Sequence, residues 1–271
     1  MHKPKVSIIM GIYNCENTLE EAIKSVLCQT YTNWELIMCD DCSKDSTYYI
    51  AEKYSKLYPE KIILLKNDIN KKLAATLNRC LKEATGEYVA RMDADDMNLP
   101  NRLKEEVDYL NNHKEISCVG TGMIIFDENG NRSVRIADEY PEKKCMIHNA
   151  PFAHPTIMMR KDVYDDLKGY KSTEDTLRAE DLDLWFRFFA KGYKGYVIQK
   201  PLYRYRESIM DLKKRNLKAA IGTMKVFLSG YKLLNYPLYV YPYALKPILV
   251  CLIPKNLMFL YHYKKDGKIK L

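Results

Sequence analysis

Short apolar runs alternate with amphipathic stretches through the first hundred positions of the chain. Val6-Ser7-Ile8-Ile9-Met10 is β-branched and apolar enough for a buried strand, and Asn17-Thr18 then opens a helix that runs to about Leu27. Trp34 to Cys39 predicts a second strand ending at Asp40-Asp41, after which Ser43 or Asp45 caps a helix through about Tyr58. Lys61 to Leu65 reads as a third strand, Leu73 to Ala84 as a third helix ended by Gly86, and Tyr88-Val89-Ala90 as a fourth strand. Strand and helix alternating three times predict a parallel sheet with right-handed crossovers, covered by helices.

Beyond Pro100 the pattern becomes mixed. A helix from about Asn101 to His113 leads into an apolar run from Ser117 to Phe126, a turn at Asp127-Glu128-Asn129-Gly130, and an antiparallel strand at Ser133 to Ile136. Pro155 to Arg160 reads as strand, Glu180 to Lys191 as helix, and Gly195 to Ile198 as another short strand. Helices are expected from Asn216 onward. In that region Leu217, Ile221, Met224, Leu228 and Tyr231 recur at helical spacing, with Lys218, Lys225 and Lys232 on an adjoining face.

Composition adds little until charge is mapped. The 271 residues are 47% hydrophobic and 29% charged, which is the composition of a globular, enzyme-sized body. Net charge is +8, but from Lys213 onward twelve Lys or Arg stand against Asp266 alone, giving +11 there and 8 − 11 = −3 for the rest. The eight cysteines are scattered, mostly within apolar runs, and no secretory signal precedes the first strand, so they are expected to be reduced, in the cytoplasm, and structural. Cys39 and Cys42 have Cys-x-x-Cys spacing, yet no second such pair exists and His is sparse; they read as small residues flanking a loop.

The candidate chemistry gathers where the predicted strands end. In an open α/β sheet, ligands bind beyond the carboxyl ends of the strands. The first strand runs out at Tyr13-Asn14, a ring on which a nucleotide base can stack beside an amide, and the second at Asp40-Asp41, a carboxylate able to accept the N3–H of a uracil. The fourth runs into Arg91-Met92-Asp93-Ala94-Asp95-Asp96, whose three carboxylates suit a divalent cation held against phosphates. Singly, each has an ordinary explanation as packing, capping or turn chemistry, and Asp181-x-Asp183 is a second Asp-x-Asp. Together they come from one edge of one predicted sheet.

These stretches resemble the family 2 glycosyltransferases of the GT-A fold, in order and spacing. The resemblance rests on Val6 to Asn14, Ser25 to Tyr31, Asp40 to Thr47 and Ala84 to Asp96, and further on His154-Pro155-Thr156, Glu180 to Trp185 and Tyr203 to Arg206. It covers about residues 4–210. It implies a Rossmann-like, mostly parallel sheet covered by helices in residues 1–212, divided into a nucleotide-binding half (1–100) and a smaller mixed acceptor half (101–212), with residues 213–271 as a basic, amphipathic helical extension. By the same resemblance Tyr13 and Asp41 would hold the base, with Asn14 and Asp40 supporting that rim. Asp93 would meet the ribose and the metal, and Asp95 the metal, Mn²⁺ or Mg²⁺, with Asp96 behind them. His154 would approach the metal, the diphosphate or the acceptor, and Arg204 and Arg206 the diphosphate, from beneath a lid-like loop after Ile209.

An inverting transfer needs a base on the acceptor side of the sugar, and Asp181, at a predicted helix start, is the choice. Glu-Asp at a helix N-terminus is also ordinary dipole compensation. Two departures from the family pattern stand out: Glu207 to Met210 where a His is common, and Asn70-Lys71-Lys72-Leu73 where small residues are.

The expected activity is metal-dependent, inverting transfer of a sugar from a nucleotide-sugar, UDP-linked, to a saccharide or lipid-linked acceptor in cell-surface polysaccharide synthesis. In the basic extension, prolines break the apolar pieces well short of the roughly 20 residues of a membrane span. Lysine interleaved with tyrosine and leucine suits an anionic headgroup layer, so the protein is expected on the inner face of the plasma membrane, with packing on the body or on a second subunit of a homo-oligomer as the alternative. Nucleic acid is a poor partner because the body is acidic. A nucleotidyltransferase would need a Gly-rich phosphate loop that Gly11-Ile12-Tyr13-Asn14 does not supply, and a catalytically silent scaffold would not need two acid sites.

Overall fold

The computed structural model describes residues 3–128, 130–207 and 216–252. Strands β1 (Val6–Ile12), β2 (Trp34–Asp40), β3 (Ile62–Lys66) and β4 (Tyr88–Arg91) alternate with helices α1 (Leu19–Leu27), α2 (Thr47–Leu57) and α3 (Lys72–Glu83), as the apolar pattern predicts. All four strands are mutually parallel, in the order β3-β2-β1-β4. The remaining strands are β5 (Met97–Asn98), β6 (Cys118–Asp127), β7 (Gly130–Arg135), β8 (Met158–Arg160) and β9 (Gly195–Arg206). They extend the sheet through β8, β6 and β9 to β5, with β7 paired to β6. Here antiparallel pairings predominate, which makes the second half mixed.

Side chains of a strand alternate between faces, and each face of this sheet carries its own core. Ile8, Met10 and Ile12 join Leu19, Ile23 and Val26 of α1 and Leu103, Val107 and Leu110 of α4 (Arg102–Asn112). Ile9, Ile37 and Cys39 point the other way, into a larger core with Leu77 and Cys80 of α3 and Leu184, Trp185 and Phe188 of α6 (Glu180–Ala190). Burial on both faces explains why β1 and β2 read as unbroken apolar runs.

Three local readings change. Pro155 to Arg160 is not one strand: His154–Thr156 forms a 3-10 turn, and only Met158–Arg160 pairs in the sheet, followed directly by the short helix α5 (Lys161–Asp166). Gly195 to Ile198 and the Arg204-Arg206 segment are one continuous strand, which passes Pro201 by shifting register against β6 at Gly122. The third change lies in the extension. Helix α7 (Leu217–Leu233) exists, but of the expected apolar line only Tyr231 is buried, whereas Leu217, Ile221 and Leu228 are exposed. Its buried face is instead Ala220, Gly222, Val226, Phe227, Gly230 and Tyr231.

Small residues set that rotation. A Cβ at Gly230 would stand 2.3 Å from the Phe186 ring and one at Gly222 2.7 Å from the Asp175 carbonyl oxygen, so the glycines let α7 approach α6 and the 3-10 turn Glu174–Thr176 more closely than any side chain would. Phe227 and Tyr231 meet Phe186 edge to face, with centroids 6.0 Å apart in each pair. A 3-10 segment, Leu238–Leu245, and helix α8 (Lys246–Leu252) follow. Among the described residues no helix is long and apolar enough to cross a membrane.

Candidate active site

The carboxyl edge of the parallel strands is built by register. Ile12 is level with Asp40, and Asp40 with Lys66, so Tyr13, Asp41 and Asn67 emerge side by side. Tyr13 is 48% exposed, leaving a ring face available. Asn14 adopts φ 47° and stitches its loop to the next: its Oδ1 accepts from Lys44 N (2.8 Å) and its N–H donates to Ser43 Oγ (3.1 Å). Asp40 is buried; one oxygen accepts from Ser43 N (3.2 Å) and Oδ1 has no partner. Asp41 is also buried and fixes the loop before α3: it accepts from Asn67 Nδ2 (2.8 Å), Lys71 N (2.7 Å) and Lys72 N (2.9 Å). Most of its lone pairs therefore hold the chain itself, a role that sequence reading did not foresee for this acid.

The acidic loop stands next to this rim. Ala94 O accepts from Thr18 Oγ1 (3.0 Å), tying the loop to the start of α1. Asp93, Asp95 and Asp96 each offer an oxygen within 4.8 Å of the others'. Asp96 is buried, takes Arg206 N on Oδ1 (2.7 Å) and leaves Oδ2 unpartnered. Burial above all, then the Asp93 and Asp95 charges, pushes its pKa well above the usual carboxylate range. Three converging carboxylates with a buried orphan oxygen fit a hard divalent cation, which takes oxygen ligands.

Two arginines shape the loop from behind. Buried Arg91 meets Asp93 through both guanidinium nitrogens, at 2.5 and 2.8 Å. Arg102 has its side chain fully out of solvent and bonds the Arg91 carbonyl (3.0 Å), the Ile157 carbonyl (3.1 Å), Asn98 Oδ1 (2.6 Å) and Glu106 Oε1 (3.2 Å). Neither role was visible in the sequence beforehand. The signals were an arginine directly before the acid run and an Arg-x-x-x-Glu pair one helical turn apart.

Asp93 and Asp181 line one cavity of about 890 Å³, together with Arg91, Glu180, Arg178 and Lys72. Glu180 and Asp181 form the first turn of α6, and Asp181 Oδ1 accepts from Leu182 N (2.7 Å). Burial pushes Glu180 up to about 7, with the Asp181 charge adding to it, and burial raises Asp181 as well. A carboxylate of raised pKa is a better proton acceptor than an ordinary one. Asp183 faces elsewhere and pairs with Arg187 at 2.7 Å, so only the second acid of that Asp-x-Asp is structural.

The other expected residues are placed differently. His154 borders the cavity but is not in the Asp93-Asp95-Asp96 cluster. It is buried, Nε2 meets Tyr170 Oη at 2.9 Å, and burial, then the Arg91 charge, holds its pKa well below the usual imidazole range. Arg204 and Arg206 do point to one face, both stacking on Phe126 at 4.3 and 4.5 Å. Yet Tyr205 between them lines the cavity and they do not. Arg206 joins Asp95 O (2.9 Å) and Glu21 (2.6 Å), bracing the acidic loop, while Arg204 reaches Asn131 (3.2 Å). Glu207 binds Arg132 (2.6 Å) and Arg135 (3.1 Å). The expected lid after Ile209 lies outside the described residues.

A parallel sheet whose carboxyl edge carries an acid cluster, one member of which shares a cavity with a second acid pair, is the arrangement of an enzyme of the α/β class. Comparison with known proteins gives the family. Residues 7–168 match glycosyl transferase family 2, and the chain belongs to that family: it is a glycosyltransferase. It is 47% identical over 272 residues to the "Putative glycosyltransferase EpsE" of Bacillus subtilis (strain 168), covering 98% of both chains. Over 102 residues, 38% of this chain and 39% of the other, it is 43% identical to the UDP-Glc:alpha-D-GlcNAc-diphosphoundecaprenol beta-1,3-glucosyltransferase WfgD of Escherichia coli. Its fold is that of the mannosyltransferase PcManGT from Pyrobaculum calidifontis, solved with GDP-Man and Mn²⁺, with a TM-score of 0.66 at 17% identity over 99% of this chain and 84% of that one. The fold is thus GT-A, as the sequence motifs imply.

Proposed function

We propose that the protein is a metal-dependent, inverting glycosyltransferase that uses a UDP-sugar and acts on a lipid-linked saccharide in cell-surface polysaccharide synthesis. The observation that carries this reading is that Asp93, from the donor loop, and Asp181, from α6, line a single cavity. A sugar held between them has its diphosphate on one side and an acceptor hydroxyl on the other. The substrates in the name of WfgD, UDP-Glc and alpha-D-GlcNAc-diphosphoundecaprenol, support both halves of the proposal.

In this reading Tyr13 stacks on the base and Asp41 meets its edge, with Asp40 and Asn14 supporting the rim. Asp93, Asp95 and Asp96 would hold Mn²⁺ or Mg²⁺, which when bound offsets negative charge on the diphosphate. Arg91, Arg178 and Lys72 add positive charge around the cavity. The acceptor hydroxyl attacks the anomeric carbon from the face opposite the diphosphate. As the new C–O bond forms, the bond to the diphosphate oxygen breaks and takes its electron pair with it; the hydroxyl proton passes to Asp181, and configuration inverts.

Location follows from chemistry at the far end. Leu238, Tyr239 and Leu249 are 82%, 79% and 61% exposed, near Lys246, and an apolar, tyrosine-bearing surface with basic residues suits the headgroup layer of the inner membrane face. A panel of nucleotide-sugars tested by thermal shift with Mn²⁺ reads the donor directly, because a bound donor stabilises the fold in proportion to its occupancy. UDP-sugars are expected to raise Tm in wild type and not in Asp95→Ala or with chelator. Equal shifts without metal would remove the ion from the proposal.

A further inference from the structure

The catalytic cavity does not end at Asp181. A second cavity of about 300 Å³ opens between α7 and α8, and Arg178, Asn216 and Ala219 line both. Away from that shared wall its lining changes character, to Ala220, Thr223, Pro247, Val250 and Cys251. Across that shared wall the lining passes from titratable groups, past a guanidinium, to an almost wholly uncharged slot. Lys218, which also lines the catalytic cavity, stands at the same junction, 3.6 Å from Glu174 on the exposed surface. On α8 the slot adjoins Leu249, which is exposed to solvent.

We propose that this slot binds the first isoprenoid units of a prenyl diphosphate acceptor, whose diphosphate lies at Arg178 and Lys218 and whose sugar reaches Asp181. The assignment rests on the glycosyltransferase reading above and deepens it by placing the acceptor's lipid. Three features select this occupant. The volume is at the lower end of ligand cavities and suits a segment of chain. The polarity gradient matches an amphiphile with an anionic junction, since arginine recognises phosphate oxygens through paired N–H groups. The slot shares Arg178, Asn216 and Ala219 with the cavity that holds the proposed base, so a molecule passing over those residues brings its hydroxyl end to the chemistry.

The test uses farnesyl diphosphate, inorganic diphosphate and UDP as probes in calorimetric titrations of the full chain. Wild type is expected to bind farnesyl diphosphate about tenfold more tightly than inorganic diphosphate. Thr223→Trp, which fills the slot from α7, should abolish that difference while inorganic diphosphate and UDP bind as before. Val250→Arg repeats the test from α8, in case Thr223→Trp disturbs the fold, which its UDP affinity would reveal. Equal affinity for the two diphosphates in wild type, or a preference untouched by both variants, overturns the slot. Failure of UDP to bind wild type would instead sink the UDP-sugar donor proposed above.

Discussion

Arg91 and Asp93 form an ion pair with unequal exposure: the arginine side chain is 6% exposed and the aspartate 27%. The two ends therefore respond differently to removal. Arg91→Met leaves behind an aspartate that solvent partly reaches, so it should be the milder of the two losses. Asp93→Ala strands the guanidinium and should cost about 3 kcal/mol. Both should reduce transfer about 100-fold, because the donor loop loses its set position. Urea unfolding alongside initial rates checks this, and equal stability in the two variants would show that the pair is not what anchors the loop.

Asp181 acts as a base only when ionised, and burial raises its pKa. Activity should therefore fall as pH decreases through a value above the ordinary carboxylate range, with the neighbouring Glu180 titrating at about 7. Asp181→Asn should lower kcat by a factor of about 10²–10⁴ and leave UDP affinity unchanged. A pH–rate profile with an acid limb near pH 4 in wild type would reassign the base.

Glu180 also predicts how stability varies with pH. Its folded pKa is raised from 4.5 to about 7, so between those values the native state keeps a proton that the unfolded chain has released. Stability contributed by this group is full below pH 4.5 and is lost as pH rises through 7. Glu180→Gln should accordingly raise Tm relative to wild type at pH 8 and have little effect at pH 4.5. Thermal melts of the metal-free protein at both values check the sign.

Gly230→Ala would place a methyl group 2.3 Å from the Phe186 ring. Because that ring is buried among Phe227 and Tyr231, overpacking should cost about 1–3 kcal/mol. The companion substitution Phe186→Leu in the same chain should recover part of the loss, as measured by urea midpoint. No change in Gly230→Ala would mean that α7 is free to move off α6.

The parallel half of the fold was legible because its signals are local. Apolar strands buried on both faces and amphipathic helices at 3.6 spacing leave periodicities that survive in one dimension, so β1 to β4 and α1 to α3 fall within a few residues of expectation. The candidate site was legible where strand ends carry acids or aromatics. What was hidden depends on partners distant in sequence. The stacking of Arg204 and Arg206 on Phe126, and the bonds of Arg206 to Asp95 and Glu21, join residues far apart in the chain. That Asp41 also holds the Lys71 and Lys72 amides has no local signal in the sequence. The face of α7 was misjudged because large apolar residues dominate a periodicity, whereas glycine and alanine dominate a close helix crossing.

Helix α6 carries Glu180-Asp181 at one end and receives Gly230 of α7 against Phe186 further along. The basic extension is consequently a wall of the catalytic domain, and cutting the chain before Asn216 would bare Phe186 and part of the larger core along with removing any lipid-facing surface. Loss of activity in such a truncation would thus report collapse of a wall as readily as loss of an anchor. Conversely, whatever grips α7 or α8 from outside also leans on the helix that presents the proposed base, so attachment and turnover in this enzyme share one rigid strut.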